Sequence, residues 1–119
     1  MKEVYDLLLK APVRFLAVCE SSQPHLYPFG AVFLHHDRIC FCTGRADPVT
    51  RQLCLNPRLE LCAPLSDGRL NVEGSAVLDS DRASRTALSV PDDAELWYLR
   101  NCTATRYFLS EAPKTLRFG

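Results

Sequence analysis

The sequence predicts a mainly β protein: six or seven antiparallel strands joined by short turns and closed into a small, complete or half-open barrel, with short helices at the periphery. Three observations predict it. Short apolar and β-branched runs recur along the chain. Compact turn signals such as Ser21-Ser22-Gln23-Pro24 and Ser66-Asp67-Gly68-Arg69 separate them. The stretches with helical spacing are all brief. Closing such strands into a barrel covers edges that would otherwise stay unpaired.

Taken in order, Val4, Leu7 and Leu8 recur at helical spacing and Pro12 stops the pattern, so residues 2–10 form a short amphipathic helix. Residues 13–19 follow as a strand, and a second apolar run from His25 to Leu34 completes a hairpin. His35-His36-Asp37-Arg38 makes a polar turn into a strand from Ile39 to Thr43. Asp47-Pro48 starts a helix, because Asp accepts an orphan backbone N–H and Pro at the first helical position has none to leave unpaired. Asn56-Pro57 ends that helix before a strand from Leu59 to Leu65. From Leu70 to Leu78 apolar and polar residues alternate, the cleanest half-buried strand in the chain. Asp79-Ser80-Asp81 caps a further helix in which Asp81 and Arg85 are spaced to pair. Pro91 breaks it, and Asp92-Asp93-Ala94-Glu95 reads as one more helical turn. Residues 102–109 and 114–118 are the last strands.

A chain of 119 residues suits one domain, spanning 1–119, with a real core. It is 47% hydrophobic and 24% charged with zero formal net charge, so it lacks the broad positive field of a nucleic-acid or anionic-membrane binder. Leu7-Leu8-Leu9 is too brief for a signal core or a membrane span, and a cytoplasmic protein with six reduced cysteines is expected.

Where chemistry is concerned, Cys40 and Cys42 point the same way on a strand, yet no further ligand pair accompanies them, and packed thiols are the better reading than a metal site. His35-His36 reads as a solvated turn, and His25 shares a strand face with Tyr27 and Phe29. Serine-elbow, Walker and dinucleotide glycine motifs are missing. The stretch from Thr43 to Arg51 joins a strand end, a hydroxyl, a glycine, a helix N-terminus and two arginines, Arg45 and Arg51. That combination suits an anion site, and it equally suits a capped helix with solvated arginines.

Tyr27-Pro28-Phe29-Gly30-Ala31-Val32, Phe41-Cys42-Thr43, Gln52-Leu53 before Asn56-Pro57, and Glu111-Ala112-Pro113-Lys114 together resemble the pyridoxamine 5′-phosphate oxidase-like FMN-binding split barrels. The likeness runs over nearly the whole chain and is nearest to the small single-domain, nitroimidazole-resistance-like members. It implies a homodimer with FMN in clefts between subunits. Thr43 and Arg51 match positions that touch the phosphate, with Arg45 and Gln52 beside them; Tyr27, Pro28, Phe29 and Gly30 would run past the isoalloxazine ring, with Phe41 and Cys42 adding backbone and packing. It also implies an oxidoreductase in which the flavin moves hydride or electrons to a small-molecule substrate, with no catalytic acid or base evident.

Two departures from that pattern bear on function. Many relatives carry basic residues where this chain has Tyr27, Asp47 and Pro48, which leaves Arg45 and Arg51, helped by Arg14 or His25, to supply the charge. The segment from Leu88 to Trp97 is short, so Trp97-Tyr98 either covers the cleft or seals the barrel or a subunit contact. The alternative function is a non-catalytic split barrel holding flavin or haem with a weakened phosphate grip.

Overall fold

The computed structural model describes residues 1–119. In chain order the elements are α1 (Lys2–Lys10), β1 (Phe15–Glu20), β2 (Gln23–Pro28), β3 (Val32–His35), β4 (Arg38–Gly44), α2 (Pro48–Leu55), β5 (Arg58–Leu65), β6 (Gly68–Leu78), α3 (Arg82–Ala87), β7 (Ala94–Phe108) and β8 (Lys114–Phe118). All strand pairs are antiparallel, in the order β2-β1-β5-β6-β7-β4-β3, with β8 on β7.

The long strand β7 makes the barrel split. One of its edges runs along β6. Its other edge is shared: Ala94 to Tyr98 pair with β4, and Cys102 to Arg106 pair with β8. The helical turn expected at Asp92–Glu95 is instead the entry to β7. Ser89 has φ of 53° and ends the α3 segment, after which Ala94, Leu96, Trp97 and Leu99 all find burial on the strand.

The single run expected from His25 to Leu34 is two strands, which raises the count to eight. Its first part pairs with β1 and its second with β4, at opposite ends of the strand order. Arg14 fixes the crossing: its carbonyl accepts from the Phe29 N–H at 2.7 Å, and its guanidinium donates to the Gly30 carbonyl at 2.8 Å and the Leu8 carbonyl at 2.7 Å. The last bond also satisfies one of the orphan carbonyls near the end of α1.

Trp97, Phe41, Leu61, Leu70 and Val72 are among the buried side chains that fill the barrel core. Val4 and Leu8 on the inner face of α1 plug one end. Each such large apolar side chain contributes about 1.5–3 kcal/mol through removal from water. Against expectation, Asp81 and Arg85 do not pair: Asp81 caps α3 by accepting from Ser84 N–H at 3.1 Å, and Arg85 donates to the Pro91 carbonyl at 3.0 Å. No helix is long and apolar enough to cross a membrane.

Candidate functional site

The ten residues singled out from the sequence fall on β2, the crossing after it, β4, the turn that follows β4, and α2. Phe29 and Phe41 are buried and meet edge to face, ring centroids 5.0 Å apart. Pro28 and Gly30 are exposed, and a Cβ at Gly30 would meet nothing within 4 Å. β2 pairs on one edge alone, which leaves backbone donors and acceptors on its other edge open to a ligand.

The polar members are all spoken for by groups of this same chain. Thr43 is buried, and its hydroxyl accepts from the Trp97 indole N–H at 2.8 Å. The Thr50 hydroxyl donates to the Gly44 carbonyl at 2.7 Å, so its 2.6 Å contact with Thr43 has Thr43 as donor. The result is a directed chain from Trp97 through Thr43 and Thr50 to the backbone. Trp97 therefore seals the barrel rather than covering a cleft.

Arg51 grips the Glu20 carboxylate with both terminal nitrogens, at 2.7 and 3.0 Å. Gln52 donates to the same carboxylate at 3.1 Å, and its own carbonyl accepts from the Tyr27 hydroxyl at 2.6 Å. Held by Arg51 first and Gln52 second, Glu20 has its pKa lowered from 4.5 to about 2. Arg45 is paired with Glu95 at 2.7 Å. Nor does the start of α2 offer free N–H groups: Pro48 has none, Val49 donates to the Asp47 side chain at 3.2 Å, and Thr50 donates to the Asp47 carbonyl at 3.0 Å. The shallow cleft of about 500 Å³ beside this turn is lined by Arg45 together with Asp47, Asp92 and Asp93.

The part expected to hold a phosphate does not fit a dianion: around Arg45 and Arg51 stand Glu20, Asp47, Asp92, Asp93 and Glu95. Arg85 stands close enough to Cys42 to pull its pKa down against a larger rise from burial. Glu20, Glu95 and Trp97 as partners escaped sequence reasoning because each comes from elsewhere in the chain, 31 to 54 residues away, and no spacing rule links them.

The cysteines are all free. Burial pushes the Cys40 thiol up to about 11 and raises Cys42 as well, and no group of three or more His, Cys, Asp or Glu side chains is placed to hold a metal. Both are packing residues of β4.

The fold is a split barrel with a shallow cleft at the turn between β4 and α2. No protein-family model matches the sequence, and no curated protein matches it. Solved structures do. The chain superposes on a NimC/NimA family protein from Clostridium acetobutylicum with TM-score 0.88 and 22% identity, over 99% of this chain and 92% of the other. A pyridoxamine 5′-phosphate oxidase-related, FMN-binding protein from Nostoc punctiforme matches at TM-score 0.69 and 13% identity, over 99% and 95%. A heme-binding protein from Mycobacterium smegmatis matches at 0.70 and 15%, over 93% of this chain and 55% of that one. The fold is the one these proteins share.

Proposed function

We propose that this chain is a flavin-binding split barrel, paired as a homodimer with a flavin at each subunit contact, acting as an oxidoreductase on a small molecule. The observation that carries this reading is the end-to-end match of the chain path to a protein described as FMN-binding. The open edge of β2 supports it, since unpaired backbone groups suit the polar rim of a planar heterocycle. Leu26 on β2 and Leu55 on α2, at 69% and 68% exposure, give the outer surface an apolar component that a second copy would cover. When bound, the flavin would supply the hydride or electron transfer. The chain would supply the ring contacts along residues 27–30 and a rigid backing from Phe29 and Phe41.

The test is the visible spectrum of protein purified without added cofactor, followed by titration with FMN and riboflavin. Yellow protein, or uptake of either flavin with a rise in melting temperature, is expected. Colourless protein that takes up neither overturns the reading. A Soret band in the same spectrum would favour haem, the ligand of one protein of this fold.

A further inference from the structure

The phosphate part of the expected site is filled from within. Two of the residues expected to hold FMN, Arg51 and Gln52, converge instead on the carboxylate of Glu20, and a third, Tyr27, donates to the Gln52 carbonyl. Arg45 turns to Glu95, and the Asp47 side chain and backbone take the N–H groups that open α2. We propose that Glu20 is a built-in anion in the phosphate position, so that this site takes a flavin whose ribityl chain ends in a neutral hydroxyl and discriminates against the phosphorylated form. The proposal rests on the flavin reading above and specifies its ligand.

The reasoning is one of charge rather than of bond strength. The Glu20–Arg51 pair lies at the surface, and such pairs are individually weak, so a phosphate could displace the carboxylate from Arg51 at small cost. Displacement does not remove the charge. Glu20 is rooted at the end of β1, is also held by Gln52, and stays ionised far below neutral pH, so it would face the incoming dianion as a close like charge. Glu95 and Asp47 do the same around Arg45. His25 also stands close enough to Glu20 to help lower its pKa, after the Arg51 and Gln52 bonds. A ribityl hydroxyl meets no such repulsion, and Gln52 and Tyr27 are a donor and acceptor set suited to it.

The experiment titrates the intact wild-type protein with riboflavin and with FMN, following flavin fluorescence, and repeats both with Glu20→Gln after circular dichroism confirms the fold. Wild type is expected to hold riboflavin at least as tightly as FMN, and Glu20→Gln to raise FMN affinity by about tenfold while riboflavin stays within about twofold, the weight of one surface charge. FMN held more tightly than riboflavin by the wild type overturns the proposal, as does an affinity ratio that Glu20→Gln leaves unchanged. Salt gives a readout that needs no variant. Between roughly 20 and roughly 500 mM NaCl the FMN-to-riboflavin affinity ratio should rise as repulsion is screened, and a falling ratio, the mark of a phosphate held by cations, overturns the proposal. If neither flavin binds, the flavin reading fails and takes this inference with it, whereas tight FMN binding removes the inference alone.

Discussion

The indole N–H of Trp97 on β7 donates to the hydroxyl of Thr43 at the end of β4, at 2.8 Å and fully buried. The bond ties the strand that precedes the α2 turn to the spine of the barrel. It also determines what the turn can offer a ligand, since the Thr43 hydroxyl has its acceptor and donor roles both used.

Replacing Thr43 with Val keeps the shape and leaves the indole N–H without a partner. The expected loss is about 2 kcal/mol, because a buried donor then forfeits its hydrogen bond without regaining water. Thr43→Ser, which retains the hydroxyl, should cost less than about 1 kcal/mol through the lost methyl. Urea unfolding followed by the emission of Trp97, the one tryptophan in the chain, measures both. Equal losses for Val and Ser would refute the hydrogen-bond account.

The Glu20–Arg51 contact carries a pH signature. The folded-state pKa of Glu20 is depressed from 4.5 to about 2, so its contribution is full above about pH 4.5 and disappears as pH falls toward 2. Thermal melts of wild type and Glu20→Gln should therefore differ by a constant amount from neutral pH down to about 5, then converge in that acid window. A difference that persists at pH 2 would contradict the assignment.

Thiol reactivity should follow exposure. Cys54 is exposed on α2, whereas burial lifts Cys40 and Cys102 to about 11. Alkylation of the native protein at pH 8 should label Cys54 first and leave Cys40 and Cys102 unmodified until denaturant is added. Peptide mass mapping of a time course decides it. Early labelling of Cys40 would mean that β4 opens far more readily than its packing allows.

Gly74 sits where the β6–β7 register shifts, and a Cβ there would lie 2.5 Å from the Cys102 sulfur. Gly74→Ala should destabilise by about 1–3 kcal/mol, the range for overpacking a well-filled interior. Cys102→Ala removes the obstructing sulfur, so in that background the added methyl should cost much less. A double-mutant cycle with no coupling would show that the backbone at the bulge, not the sulfur, sets the limit.

Much of the fold was legible because its signals are local. Pro12, Asp47-Pro48 and Asn56-Pro57 bounded α1 and α2 closely, and the alternation from Leu70 to Leu78 identified β6. Errors arose where pairing overrode local pattern. The run from His25 to Leu34 divides at Pro28 and Gly30, local breakers outweighed in the sequence by the apolar residues around them, and Arg14 holds the crossing by binding the chain at Phe29 and Gly30. The acidic Asp92–Glu95 segment reads as a helix start, but β4 recruits its last two residues, Ala94 and Glu95, as strand.

The sequence by itself determined the small antiparallel barrel, its peripheral helices and the cap that Asp47 places on α2, because turn chemistry, alternation and capping act over a few residues. Tertiary structure alone decided the electrostatics of the cleft. Arg51 meets Glu20 across 31 residues and Arg45 meets Glu95 across 50, distances closed by strand pairing and by the packing of α2 against β1. The same two arginines would read as an anion site in isolation. Folding brings a carboxylate to each, and the sum of charges that the folded chain assembles is what a ligand encounters.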